Sequence, residues 1–70
     1  MRKNLQEARK KAGLTQQAMA EKLNVGLRHY KKIESGETQG SIQIWDELES
    51  LFGINQRVLR EIHLDIGDSP

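Results

Sequence analysis

Cysteine is absent from this 70-residue sequence, and so is any long apolar run. Without a thiol there is no disulfide staple, no thiolate metal site and no cysteine nucleophile. A chain this short buries only about 60% of the surface its unfolded form exposes, so its core has to be held by helix packing or by a partner subunit. A reducing, intracellular setting fits this composition. No stretch approaches the roughly 20 apolar residues of a membrane span, and the opening "MRKNLQEARKK" lacks the apolar centre of a signal peptide. A soluble, cytoplasmic protein with no membrane partner is expected. There is no glycine-rich phosphate loop, no placeable Ser, His and Asp constellation, and too little chain for a substrate cleft. Neither His29 nor His63 has a cysteine or a second histidine at ligand spacing. No enzyme activity, no metal and no cofactor is expected.

Charge is plentiful but unevenly spread. Residues 1–33 hold nine Lys or Arg against two acids, Glu7 and Glu21, whereas residues 34–70 hold two against eight. The net charge of +1 hides a basic end and an acidic end, an arrangement suited to a polyanion approached from one side.

Apolar residues recur at helical spacing throughout, and no alternating strand pattern competes with them. Leu5, Ala8 and Ala12 mark a first helix that begins near Arg2 and is stopped by Gly13. Thr15 is placed to cap a second, "QQAMAEKL", with Ala18 or Met19, Ala20 and Leu23 inward. "NVG" breaks the chain before a third helix over 27–35, closed by Gly36. Ser41 caps a fourth, with Ile42, Trp45, Leu48 and Phe52 inward, and Gly53 ends it. Asn55 caps a fifth, "QRVLREIH". The expected fold class is all-α, a compact bundle of five short helices over residues 1–66 with a short tail at 67–70.

The third helix is the informative one. Tyr30, Ile33 and His29 share one side, while Leu27, Arg28, Lys31, Lys32 and Ser35 share the other. The helix is therefore packed from behind and basic in front. A helix about 10–12 Å wide fits the roughly 12 Å major groove of B-DNA, where Arg and Lys can bond guanine O6 and N7. Two helices joined by a short turn, the second basic on its free face, form the pattern of a helix-turn-helix. Tyr30 and Trp45 lie on inward stripes and are expected in the core rather than stacked on bases.

Here the sequence resembles the Xre/Cro and phage-repressor (lambda repressor-like) helix-turn-helix family. The stretch "LTQQAMAEKLNVGLRHYKKIESGE" looks like its helix-turn-helix, with Ala20 at the helix contact and Met19, Leu23, Val25, Tyr30 and Ile33 apolar; the likeness extends from Leu5 to Ile54. The resemblance implies double-stranded DNA as partner and transcriptional regulation, repression in particular, as the role. It implies base reading by Leu27, Arg28 and Lys32, with phosphate contacts from Gln16, Gln17, Gly26 and Lys31. Arg9 and Glu34 match a pair that bridges helices one and three in relatives. In that family the last helix often makes a two-fold contact, so Val58, Leu59, Ile62, Leu64 and Ile66 are expected to contribute to a homodimer; the alternative is that they close over Trp45 and Phe52 within one chain.

Four positions depart from the pattern. Asn24 stands for the usual turn glycine, and Gly26 for a Ser or Thr that would cap helix three. Leu27 is apolar where a polar reader is common, and Gly40 replaces a frequent proline, which suggests a more mobile loop. An alternative reading is an interaction module or antitoxin-type partner protein, with Leu27 and the apolar tail as its contact surface.

Overall fold

The computed structural model describes residues 1–62. Their order is α1 (Lys3–Lys11), α2 (Gln16–Lys22), α3 (Leu27–Ser35), α4 (Ile42–Phe52) and α5 (Gln56–Arg60), with no strand among the described residues. Local chemistry sets most of these limits. Thr15 Oγ1 accepts from the Ala18 N–H at 3.0 Å, Ser41 Oγ from Ile44 at 3.3 Å and Asn55 Oδ1 from Arg57 at 2.8 Å, each satisfying a first-turn donor. Gly36 ends α3 at φ +92°, a left-handed geometry that costs glycine nothing. In the turn before α3, Asn24 takes φ +59°, and the Val25 N–H reaches back to Ala20 O at 2.9 Å.

The core gathers one stripe from every helix. Leu5 of α1, Met19 and Ala20 of α2, Tyr30 and Ile33 of α3, Trp45 and Leu48 of α4 and Leu59 of α5 are all buried together. Helix α2 packs on α3, and α1 and α4 both pack on α5. Leu14, Val25, Phe52 and Ile54 close the margins.

The structure corrects several sequence expectations. Ile42 is 75% exposed, and Ile44 is buried instead. The inward face of α4 is centred between Trp45, Leu48, Phe52 and Ile44, and Ile42 lies about a quarter-turn outside it at ~100° per residue. Ala12 is the C-cap of α1 and is exposed, not inward. His29 is also exposed, so the buried side of α3 is narrower than its apolar spacing implied and is completed by Glu34. Helix α5 stops at Arg60, with Glu61 already extended at φ −56° and ψ 131°. Leu59 is 0% exposed and belongs to the chain's own core, which removes it from any surface contact. His63, Leu64, Ile66 and the tail at 67–70 lie outside the described residues.

Gly40 has a structural reason. It sits at φ +77°, unreachable for proline, whose ring holds φ near about −65°. A Cβ there would stand 3.2 Å from Ile33 Cδ1 and 3.6 Å from Trp45 Nε1.

Candidate nucleic-acid interface

Helix α3 is fastened along one side by a buried polar cluster. Arg9 Nε donates to Glu34 Oε2 at 2.8 Å and Arg9 Nη2 to Oε1 at 3.3 Å, while Nη1 reaches Leu14 O at 2.8 Å. The Tyr30 hydroxyl donates to Glu34 Oε2 at 2.7 Å, and Gln16 Nε2 to Oε1 at 3.1 Å. One carboxylate thus joins α1, α2 and two successive turns of α3. The hydrogen bond to Glu34 raises the Arg9 pKa, against the opposing effect of burial. Burial, helped by the adjacent Glu34 carboxylate, pushes the Tyr30 phenol well above its ordinary value. Buried charge is tolerable here because every partner is hydrogen-bonded.

Sequence reasoning missed a second fastening. Arg2, counted above with the basic end, is only 3% exposed. Its guanidinium donates to Ile33 O, to Thr38 O at 2.9 Å and to Arg60 O at 3.0 Å, and stands 5.1 Å from the centroid of the Trp45 ring. Its backbone N–H donates to Glu34 O at 2.9 Å. Burial, and after it the nearby Arg60 cation, lower the Arg2 pKa. The only sequence-level signal was that Arg2 lies one turn before Leu5, itself one turn before Ala8 and Arg9 on the packed side of α1. Arg2 and Arg9 are both internal, so the basic face is narrower than the sequence count suggests.

Held from behind in this way, α3 presents Arg28, Lys31, Lys32 and Ser35 to solvent, with Leu27 half-buried at its first turn. Arg28, Lys31 and Lys32 form no salt bridge within the described residues. Gly26 occupies the N-cap at φ −72° and ψ 152° with no side-chain cap, and a Cβ added there would meet open space. Gln16 opens α2 half-buried, one amide N–H committed to Glu34. Gln17 is exposed and bonds Glu21 one turn along at 3.0 Å.

The candidate contact residues of α5 separate. Val58 is 45% and Ile62 49% exposed. Val58 lines a shallow hollow between α1 and α5 with Ile54, Ala8, Asn4, Glu7 and Lys11. Ile62 turns towards the end of α3, its Cδ1 3.7 Å from where a Cβ on Gly36 would stand. No group of three or more His, Cys, Asp or Glu among the described residues is arranged to hold a metal ion.

A small all-helical bundle, with a second and third helix packed across a tight turn and a free basic face on the third, is the architecture of a helix-turn-helix domain. Residues 5–56 match the family model described as Helix-turn-helix, and the chain belongs to that family, the Xre and lambda repressor-like group. It is a DNA-binding helix-turn-helix protein of regulatory type. Among curated proteins and among solved structures, none matches the chain. No helix among the described residues is long and apolar enough to cross a membrane.

Proposed function

We propose that the protein is a sequence-specific transcriptional repressor acting in the cytoplasm as a homodimer, with α3 in the major groove of double-stranded DNA. Arg28 and Lys32 bond base edges, and Leu27 meets a thymine methyl. Gln16, through its second amide N–H, joins Gln17, Lys31 and the backbone N–H groups that follow Gly26 in contacting phosphates and setting the register. Two copies related by a two-fold axis bring their reading helices about 34–36 Å apart, one turn of duplex. The exposure of Val58 and Ile62 supports this reading, in which one or both pack against the second copy.

The observation that carries the reading is the contrast between the two sides of α3. Its rear is locked by buried, fully paired charge, and its front holds Arg28, Lys31 and Lys32 without a salt bridge within the described residues. The test is selection of bound duplexes from a random library, wild type beside the Arg28→Ala, Lys32→Ala double variant. Enrichment of a two-fold symmetric motif that the variant loses supports both reader and dimer; no enrichment even at low salt sinks the reading.

One observation favours a second reading, a protein-binding adaptor or antitoxin-type partner. Ile42 is 75% exposed at the start of α4, and Leu27 is only half-buried on the free face of α3. Salt separates the two. Several phosphate contacts force a steep loss of DNA affinity between about 50 and 200 mM salt, whereas an apolar protein contact is nearly indifferent to it.

A further inference from the structure

The last turn of a helix leaves carbonyls without intrahelical partners and carries the negative end of the helix dipole. In this fold two such ends, those of α3 and α5, meet at a single cation. Arg2 Nε closes Arg60 O, while Nη1 donates to Ile33 O, which also accepts from the Gly36 N–H at 3.2 Å, and to Thr38 O in the loop that follows α3. The Arg2 backbone N–H takes Glu34 O as well. Trp45, on whose ring the guanidinium rests, donates Nε1–H to Gln39 O at 2.6 Å, so the loop between α3 and α4 is gripped from both sides. Arg2 therefore links the last turn of α3, which Glu34 already fastens to α1 and α2, to α5 and to the α3–α4 loop.

We propose that Arg2 is a positioning residue for DNA reading, one that sets where the last turn of α3 stands relative to α5 and the α3–α4 loop, without touching DNA itself. This rests on the reading role of α3 proposed above. The physical basis is that base-edge hydrogen bonds depend steeply on distance and angle, whereas phosphate attraction does not. Loosening the end of α3 therefore weakens discrimination between sequences more than it weakens general attraction to the duplex.

Two variants of the full chain test this. Arg2→Lys keeps the charge and the ring contact, but its single nitrogen cannot span all three carbonyls. Trp45→Phe keeps a ring beneath Arg2 and removes the N–H that holds Gln39 O. For each, affinity is measured for the duplex selected by the wild type and for a mixed-sequence duplex, at a temperature where circular dichroism shows the variant folded. The expected result is a fall of about tenfold in the ratio of the two affinities, the size of one lost base-edge contact, with mixed-sequence affinity and its salt slope unchanged. A role confined to stability lowers the melting temperature and leaves the ratio alone, and that result in a folded Arg2→Lys overturns the proposal. Should Arg2→Lys not fold, an unchanged ratio in Trp45→Phe overturns it equally. A wild type that cannot tell the two duplexes apart sinks the reading role of α3 itself, and the Arg2 proposal with it, before any variant is compared.

Discussion

Arg9 and Glu34, 25 residues apart in sequence, meet with Nε 2.8 Å from Oε2 in a site where almost none of either side chain reaches solvent. Removing one partner leaves the other buried and uncompensated, which costs about 3–5 kcal/mol where both are desolvated. Glu34→Gln and Arg9→Met are each expected to lose stability on that scale, read from urea denaturation midpoints at constant slope. An Arg9→Met, Glu34→Leu double variant is expected to lose less than the sum of Arg9→Met and Glu34→Leu, because no lone charge remains between those two positions. Simple additivity of the two single losses would show that the pair is not coupled.

Tyr30 ties the same cluster to alkaline pH. Its folded-state pKa is raised above the ordinary value of 10.0, so the neutral phenol is the form that folding favours. Its contribution is complete below about pH 10 and is lost as pH rises beyond that, since the unfolded chain then releases a proton that the folded one retains. Tyr30 is the only tyrosine, so tyrosinate absorbance reports this group alone. The absorbance change is expected to coincide with loss of helical circular dichroism. A tyrosinate signal that develops near pH 10 in a chain still fully helical would contradict the buried hydrogen bond to Glu34.

Gly40 is a stricter requirement than its place in a loop suggests. With φ at +77°, any L side chain is strained there by roughly 1–2 kcal/mol, and its Cβ presses on Ile33 Cδ1 at 3.2 Å. Gly40→Ala is expected to destabilise by about that amount, and Gly40→Pro by more because its φ is unattainable. Thermal melts of the two variants check the order. A Gly40→Pro protein as stable as wild type would mean that the turn does not hold this conformation.

Arg28 and Lys31 separate the two kinds of DNA contact. Arg28→Ala is expected to cost about 1–3 kcal/mol and to relax preference at one base pair, while Lys31→Ala weakens binding to all sequences alike and lowers the salt slope by about one. Competition binding over single-base variants of the selected duplex, repeated across salt concentrations, makes the comparison. A loss for Arg28→Ala that is uniform over all duplexes would place Arg28 on a phosphate instead.

The five helices were legible in sequence because their causes are local. Thr15, Ser41 and Asn55 cap with their own side chains, Gly36 terminates with its own backbone, and Leu5 with Ala8, Tyr30 with Ile33 and Trp45 with Leu48 fall at helical spacing whatever surrounds them. The exposed basic positions of α3 were legible for the same reason. The choice between Ile42 and Ile44 was not, since both neighbour the inward stripe and only the packing of α4 against the rest of the bundle selects one. Leu59 was likewise ambiguous between core and contact surface until α5 was seen against α1 and α4.

Local residue patterning is enough to establish that this chain makes helices, where they begin and end to within a few residues, and that one of them is basic on one side and apolar on the other. Which polar side chains outside the exposed face of α3 are drawn inward was settled by tertiary contacts. Arg2 is buried because carbonyls 31, 36 and 58 residues away converge on it, and Gln16 turns partly inward because Glu34 offers an acceptor 18 residues on. Periodicity along a single helix carries no information about such meetings, because a buried charge is stabilised by partners that the chain brings together only on folding.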